Sequence, residues 1–96
     1  MYTVYLDEKV QKKILSFDKS VRRLLSQYIK KNLLGTDDPR IHGKPLNKAL
    51  KGFWRYRIMD YRLLVKIHDD ELTIVAVDFD HRSKIYKKLL KNEPGA

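Results

Sequence analysis

Residues 53–79, "FWRYRIMDYRLLVKIHDDELTIVAVDF", constrain the fold more than any other part of the chain. Three strand-like runs are separated by Met59-Asp60 and Asp69-Asp70. Successive side chains of a strand point to opposite faces. In residues 53–59 this puts Trp54, Tyr56 and Ile58 on one side and Arg55 and Arg57 on the other. In residues 61–68, Tyr61, Leu63, Val65 and Ile67 oppose Arg62, Leu64, Lys66 and His68. Residues 71–79 are apolar on both sides, as a central strand requires. Reading the two dipeptides as two-residue hairpin loops pairs Ile58 with Tyr61, Arg57 with Arg62 and Arg62 with Val77. Ten residues from Trp54 to Ala76 then share one face and can cover helices. The other face collects Arg55, Arg57, Arg62 and Lys66 beside Val75, Val77 and Phe79, and the same parity carries His81 there. A bulge would shift this register by one residue.

The first half of the chain supplies the cover. "YTVYL" (2–6) reads as a strand, and Asp7 can cap a helix with Val10, Ile14 and Phe17 on one side. Asp18 caps a second helix, whose stripe is Val21, Leu24, Leu25, Tyr28 and Ile29, and Gly35 follows its end. Arg22, Arg23, Lys30 and Lys31 read as the solvated outer faces of this hairpin. Residues 36–52, with two prolines, form a basic loop. "DHRSKIYKKLLK" (80–91) predicts a terminal helix capped by Asp80, with Lys87, Lys88 and Lys91 near the negative end of its dipole. "NEPGA" is expected to fray. The expected architecture is a single α+β domain over residues 1–96. Its N-terminal strand and helical hairpin pack on one face of a twisted antiparallel sheet, and a short C-terminal helix follows.

Charge then narrows the partners. The chain carries 21 Lys+Arg against 12 Asp+Glu, a formal +9. Eight of the basic residues, against the single acid Asp60, fall in residues 40–66: Arg40, Lys44, Lys48, Lys51, Arg55, Arg57, Arg62 and Lys66. A concentrated basic field attracts polyanions or an acidic protein. The absence of cysteine excludes disulfides and thiolate metal sites and fits a reducing cytoplasm. No apolar run approaches the roughly 20 residues of a membrane span, and the N-terminus lacks a signal-peptide pattern. A soluble cytoplasmic protein without membrane contact is expected.

Two arginines directly opposed across strands cost up to about 1 kcal/mol. Neither can shed its charge, because the guanidinium pKa lies above about 12. A bound phosphate would reverse the cost, since arginine forks donate paired hydrogen bonds to phosphate oxygens. In "DHRSKIY" (80–86), His81 can exchange a proton near neutral pH. Arg82 can hold a phosphate, and Tyr86, one helical turn on, can donate a hydrogen bond or a proton. RNA cleavage without a metal needs such parts: a group to deprotonate the 2′-hydroxyl, one to neutralise the phosphorane, and one to protonate the leaving 5′-oxygen.

The ordered series from "HGKPLNKALKGFWRYRIMDYRLLVKIHDD" through "ELTIVAVDFDHRSKIY" (42–86) resembles the RelE-type toxins of bacterial toxin–antitoxin pairs, within the RelE/ParE superfamily. The strand–helix–helix opening matches as well. This resemblance implies an enzyme: a ribosome-dependent endoribonuclease that cuts messenger RNA in the A site, against 16S rRNA, by metal-free 2′-hydroxyl attack. It also implies a cognate antitoxin that wraps and silences the toxin, and no cofactor. By match to the family, Arg55, Arg57, Arg62, Arg82 and Tyr86 serve the active site, and His81 fits a subgroup with histidine near this end. Arg62, His81, Arg82 and Tyr86 are the expected catalytic set. Arg55, Arg57, Lys44, Lys48, Lys51 and Lys66 are the expected RNA and phosphate contacts. Some relatives carry lysine, a potential base, where Arg55 and Arg57 stand. Arginine cannot readily serve as a base, so these two are assigned to phosphate binding and transition-state charge, and the base is either His81 or a group the sequence does not identify.

Two rivals compete. A ParE-like inhibitor of DNA gyrase would keep the fold without needing an acid–base set. A non-catalytic RNA-binding module would need exposed aromatics for stacking, yet alternation sends Trp54 and Tyr56 inward. His42, His68 and His81 are far apart in the chain and show no metal-ligand spacing, so no metal is expected.

Overall fold

The computed structural model describes residues 1–46 and 51–91, with side chains described through Lys87. Lys48 and the terminal "NEPGA" lie outside the described residues, as do the side chains of Lys88 and Lys91. The elements run β1 (Thr3–Leu6), α1 (Glu8–Ile14), α2 (Lys19–Tyr28), β2 (Lys44–Pro45), β3 (Phe53–Ile58), β4 (Tyr61–His68), β5 (Thr73–His81) and α3 (Arg82–Lys91). Their sheet order is β1-β5-β4-β3-β2. The α+β class is the expected one. The sheet is mixed, however: β2 to β5 are antiparallel neighbours, while β1 lies parallel to β5, Thr3 beside Thr73. Among the described residues no helix is long and apolar enough to cross a membrane.

Local chemistry explains the helical hairpin. The Asp7 carboxylate accepts the Lys9 N–H at 2.8 Å and starts α1. Asp18 stands at the N-cap position of α2, but its side chain makes no capping hydrogen bond. The end of α2 widens into a π-helical turn, Ile29–Leu33, closed by the Leu34 N–H on the Ile29 carbonyl at 2.8 Å. Gly35 follows in the left-handed region with φ 78°. Val10, Val21, Leu25 and Leu33 bury against Tyr56, Ile58, Leu63, Val65, Ile74 and Ala76, so one sheet face and the hairpin share one core.

The β3–β4 hairpin has the expected register, with Ile58 opposite Tyr61 and Arg57 opposite Arg62. Its Met59 sits at φ 54°, a conformation unusual for a residue with a side chain. The β4–β5 register differs from expectation in two places. The connection is the four-residue turn Asp69–Leu72, so His68 pairs with Thr73. A bulge then places Val65 opposite Ala76 but Leu64 opposite Asp78, leaving Val77 as the extra residue. An extra residue reverses the facing of everything beyond it. Arg62 therefore faces Asp80, in place of Val77, and His81 faces Tyr61. Phe79 moves from the arginine face into the core, where it is fully buried opposite Leu63.

The described residues of the basic loop, 36–46 and 51–52, are tied to the sheet. Within it β2 pairs Lys44 with Arg55. Trp54 Nε1 donates to the His42 carbonyl at 2.7 Å, and Tyr56 Oη to the Pro39 carbonyl at 2.6 Å. Gly43 (φ 82°) lets the loop lie on β3, since a Cβ there would come within 2.2 Å of the Arg55 carbonyl oxygen. Arg40, counted among the basic residues of this stretch, makes a two-pronged ion pair with Asp69, both contacts 2.9 Å. Tyr2 Oη donates to the same carboxylate at 2.6 Å.

That cluster makes stability pH-dependent. Hydrogen bonds from Arg40 first, then Tyr2, hold Asp69 down at about 2. An unfolded aspartate titrates near 3.9, so the stabilisation is complete above about pH 4 and is lost as pH falls toward 2. Asp69→Asn is expected to lower the neutral-pH unfolding midpoint and to flatten its acid slope, as followed by circular dichroism.

Candidate functional site

The arginine face is assembled by β2, β3 and β4. Cross-strand pairs share a face, so Lys44–Arg55, Arg55–Leu64, Arg57–Arg62 and Phe53–Lys66 put Lys44, Arg55, Arg57, Arg62 and Lys66 together. Arg62 is the anchored member, only 6% exposed. Its Nη1 donates to the Met59 and Tyr61 carbonyls, both at 2.8 Å, and so braces the left-handed turn. Its Nε is directed at Tyr86 Oη, 3.4 Å away. Arg55 Nε is buried and meets no acceptor among the described residues. An unmet buried donor costs about 1–3 kcal/mol, a cost that an anionic acceptor would remove.

Helix α3 brings Tyr86 to this face. Ile85 buries completely and fixes the helix, while Tyr86 stays partly exposed with its ring centroid 5.9 Å from Arg62 Cζ. The Arg62 hydrogen bond is the main influence on the phenol. With the charges of Arg62, Arg55 and Arg57, it holds Tyr86 below the usual tyrosine pKa, against the opposing effect of partial burial. Tyr86 thus carries a dissociable proton in the field of three guanidinium groups.

His81 is placed elsewhere. Its ring packs edge-on against Tyr61, centroids 5.6 Å apart, and Tyr61 in turn contacts Phe17 and Phe79 in the core. Its Nδ1 accepts the Ser83 N–H at 3.2 Å and lies 2.9 Å from Ser83 Oγ. His81 therefore does the helix-capping expected of Asp80. The bulge is the reason: it turns His81 toward Tyr61 and Asp80 toward Arg62. Arg82 anchors α3 through its backbone N–H on the Asp60 carbonyl at 2.7 Å, and its side chain is exposed.

The lysines separate into groups. Lys44 borders a cleft of about 350 Å³ with Tyr28, Ile41, His42, Gly43, Arg55 and Arg57. Lys66 shares the arginine face but lies over the Phe53 ring, Nζ 5.1 Å from its centroid. Lys51 is an exposed residue of the turn before β3. Sequence reasoning missed Tyr28 and His42 as cleft residues, and it missed Lys13. Lys13 Nζ contacts Asp78 Oδ1 and Asp80 Oδ2, both at 2.8 Å. The acid–x–acid spacing of Asp78 and Asp80, which puts both carboxylates on one strand face, was the available signal.

Comparison with known proteins agrees with this architecture. A family model described as the ParE toxin of the type II toxin–antitoxin system parDE matches residues 4–86. Putative toxin RelE4 of Methanocaldococcus jannaschii is 30% identical over 89 residues, covering 92% of this chain and 94% of that protein. Toxin RelG of Mycobacterium tuberculosis is 41% identical over 51 residues, covering 53% of this chain and 59% of RelG. Among solved structures, the M. tuberculosis RelBE2 toxin–antitoxin complex superposes with TM-score 0.76 at 28% identity, covering 85% of this chain and 92% of that one. Isolated E. coli RelE shares the fold, with TM-score 0.69 at 21% identity over 95% and 97% of the two chains. With the family model covering most of its length, a sheet ordered as described and a basic face closed by a C-terminal helix, the chain belongs to the RelE/ParE superfamily of type II toxin–antitoxin toxins.

Proposed function

We propose that this toxin is a ribosome-dependent endoribonuclease that inhibits translation by cleaving messenger RNA in the A site without a metal. One observation carries the reading: Tyr86 Oη, 3.4 Å from Arg62 Nε, lies within the combined field of Arg55, Arg57 and Arg62, which favours its phenolate. In the reaction the 2′-hydroxyl proton passes to the Tyr86 phenolate. The 2′-oxygen bonds to phosphorus, and the P–O5′ bond breaks. Solvent protonates O5′, leaving a 2′,3′-cyclic phosphate and a 5′-hydroxyl. Arg62, Arg55 and Arg57 neutralise the phosphorane, whose extra charge makes their bonds stronger in the transition state than in the ground state. The exposed Arg82 grips the neighbouring backbone, and Lys44, Lys48, Lys51 and Lys66 bind flanking phosphates of messenger or 16S rRNA. His81 is assigned to capping the helix that carries Tyr86, because its Nδ1 already accepts the Ser83 N–H. A cognate antitoxin, of the kind named for the RelBE2 complex, restrains the toxin in the cytoplasm.

Mapping 5′ ends of messenger RNA on purified ribosomes tests the proposal. New ends within the A-site codon, dependent on both toxin and ribosome, are expected; their absence overturns it. Because the reacting form is the phenolate, the rate should rise with pH through the Tyr86 pKa, which the arginines hold below the ordinary tyrosine value. Tyr86→Phe should remove that limb and most of the activity.

The family model's ParE description favours a second reading, inhibition of DNA gyrase by binding. Gyrase-linked DNA damage in place of translational arrest on expression without antitoxin would select it.

A further inference from the structure

We propose that Lys13 is a positioning residue of this site: by holding the Asp80 carboxylate, it keeps that carboxylate off Arg62 and leaves the guanidinium available to a phosphate. The inference rests on the proposed role of Arg62 in gripping the scissile phosphate.

The bulge in β5 makes Arg62 and Asp80 direct cross-strand partners. Both are buried, 6% and 5% exposed. Side chains so opposed start from Cβ atoms about 4.5–5.5 Å apart. An arginine and a carboxylate at that separation would ordinarily form a charge-assisted pair. They do not. The Asp80 carboxylate accepts the His81 N–H on Oδ1 and pairs with Lys13 Nζ through Oδ2, each at 2.8 Å. Arg62 donates to two turn carbonyls and to Tyr86. A neutralised Arg62 would lose its attraction for a phosphate.

The lysine reaches β5 from the last turn of α1, and its ammonium is shared with Asp78 Oδ1 at 2.8 Å. Three donors on a compact head suit it to bridge two carboxylates of one strand face. Removing the ammonium leaves Asp80 charged, buried and without its cation, a state strongly disfavoured in a protein interior. The cation directly across the strand is Arg62. The carboxylate then draws the guanidinium away from Tyr86, and site and phenol change together.

The test compares wild type, Lys13→Met, Asp80→Asn and the double variant, each confirmed folded by thermal unfolding. Two readouts are taken: the Tyr86 pKa, from NMR of tyrosine labelled at Cζ and assigned with Tyr86→Phe, and cleavage of messenger RNA on purified ribosomes. Lys13→Met should raise the Tyr86 pKa and lower cleavage about tenfold or more. The double variant should return both toward wild type, because an amide has no charge with which to capture Arg62. Lys13→Gln, still a hydrogen-bond donor but uncharged, should repeat both changes and serves if Lys13→Met does not fold. An unchanged Tyr86 pKa in the lysine variants overturns the proposal, and so does a double variant as impaired as Lys13→Met. Should the wild type not cleave messenger RNA at all, the nuclease reading fails separately, and the Tyr86 titration still decides the role of Lys13.

Discussion

Arg62→Met is expected to lower ribosome-dependent cleavage by about 100- to 1000-fold, the usual consequence of removing a donor aimed at developing negative charge. The substitution keeps an unbranched stem that ends near the position of Nε and deletes the guanidinium that hydrogen-bonds Tyr86. Two effects on stability oppose each other. Losing the bonds to the Met59 and Tyr61 carbonyls weakens the turn, at about 1.5–3 kcal/mol for each such charged bond before relaxation. Relieving the Arg57–Arg62 opposition returns up to about 1 kcal/mol. The net loss, at most about 6 kcal/mol before relaxation, lies near or below the low end of the roughly 5–15 kcal/mol that holds a domain together, so the variant should fold with a lowered midpoint. Its Tyr86 pKa should rise, because the main influence depressing it is gone. Arg62→Lys restores charge without the planar fork, and intermediate activity is expected. Full activity in Arg62→Met, measured by 5′-end mapping beside a thermal melt, would remove Arg62 from the mechanism.

Phe79→Ala should be strongly destabilising, at about 3–5 kcal/mol. Phe79 is fully buried and meets Phe17 and Tyr61, with ring centroids 5.3 and 5.5 Å away. These three rings join the α1–α2 connection to β4 and β5. Truncation opens a cavity beneath Tyr61, the ring on which His81 rests. A loss of about 4 kcal/mol lowers the thermal midpoint of a domain this size by on the order of 20 °C. Denaturant unfolding checks the value. A cost below about 1 kcal/mol would place Phe79 outside the core and contradict the bulged register.

That register marks where reading the sequence stops. The β3–β4 pairing was legible, because Tyr56, Ile58, Tyr61 and Leu63 alternate cleanly with arginines and a one-residue slip would expose them. The β5 pairing was not, because "ELTIVAVDF" is apolar on both sides and its pattern tolerates either parity. Nothing local in Val77 announces an extra residue. The expectations that placed Phe79 and His81 on the arginine face, and Asp80 on a helix cap, all descend from that one position. Arg55, Arg57 and Arg62 fall on one face as expected because they precede the bulge. Tyr86 reaches Arg62 from α3, and its helical spacing from Arg82 is insensitive to strand register.

By itself, the sequence determined the α+β class, the helical hairpin over one sheet face, the concentration of charge in residues 40–66 and the opposition of Arg57 to Arg62. Each is a short-range or periodic property, set by spacing along the chain. Only the tertiary structure decided that β1 adds in parallel beside β5 and that Asp80 faces Arg62. It alone showed that Lys13 takes the carboxylate and that His81 caps α3. Those outcomes depend on which strand edges and polar groups, far apart in the chain, meet in the folded state, and spacing along the chain cannot resolve that.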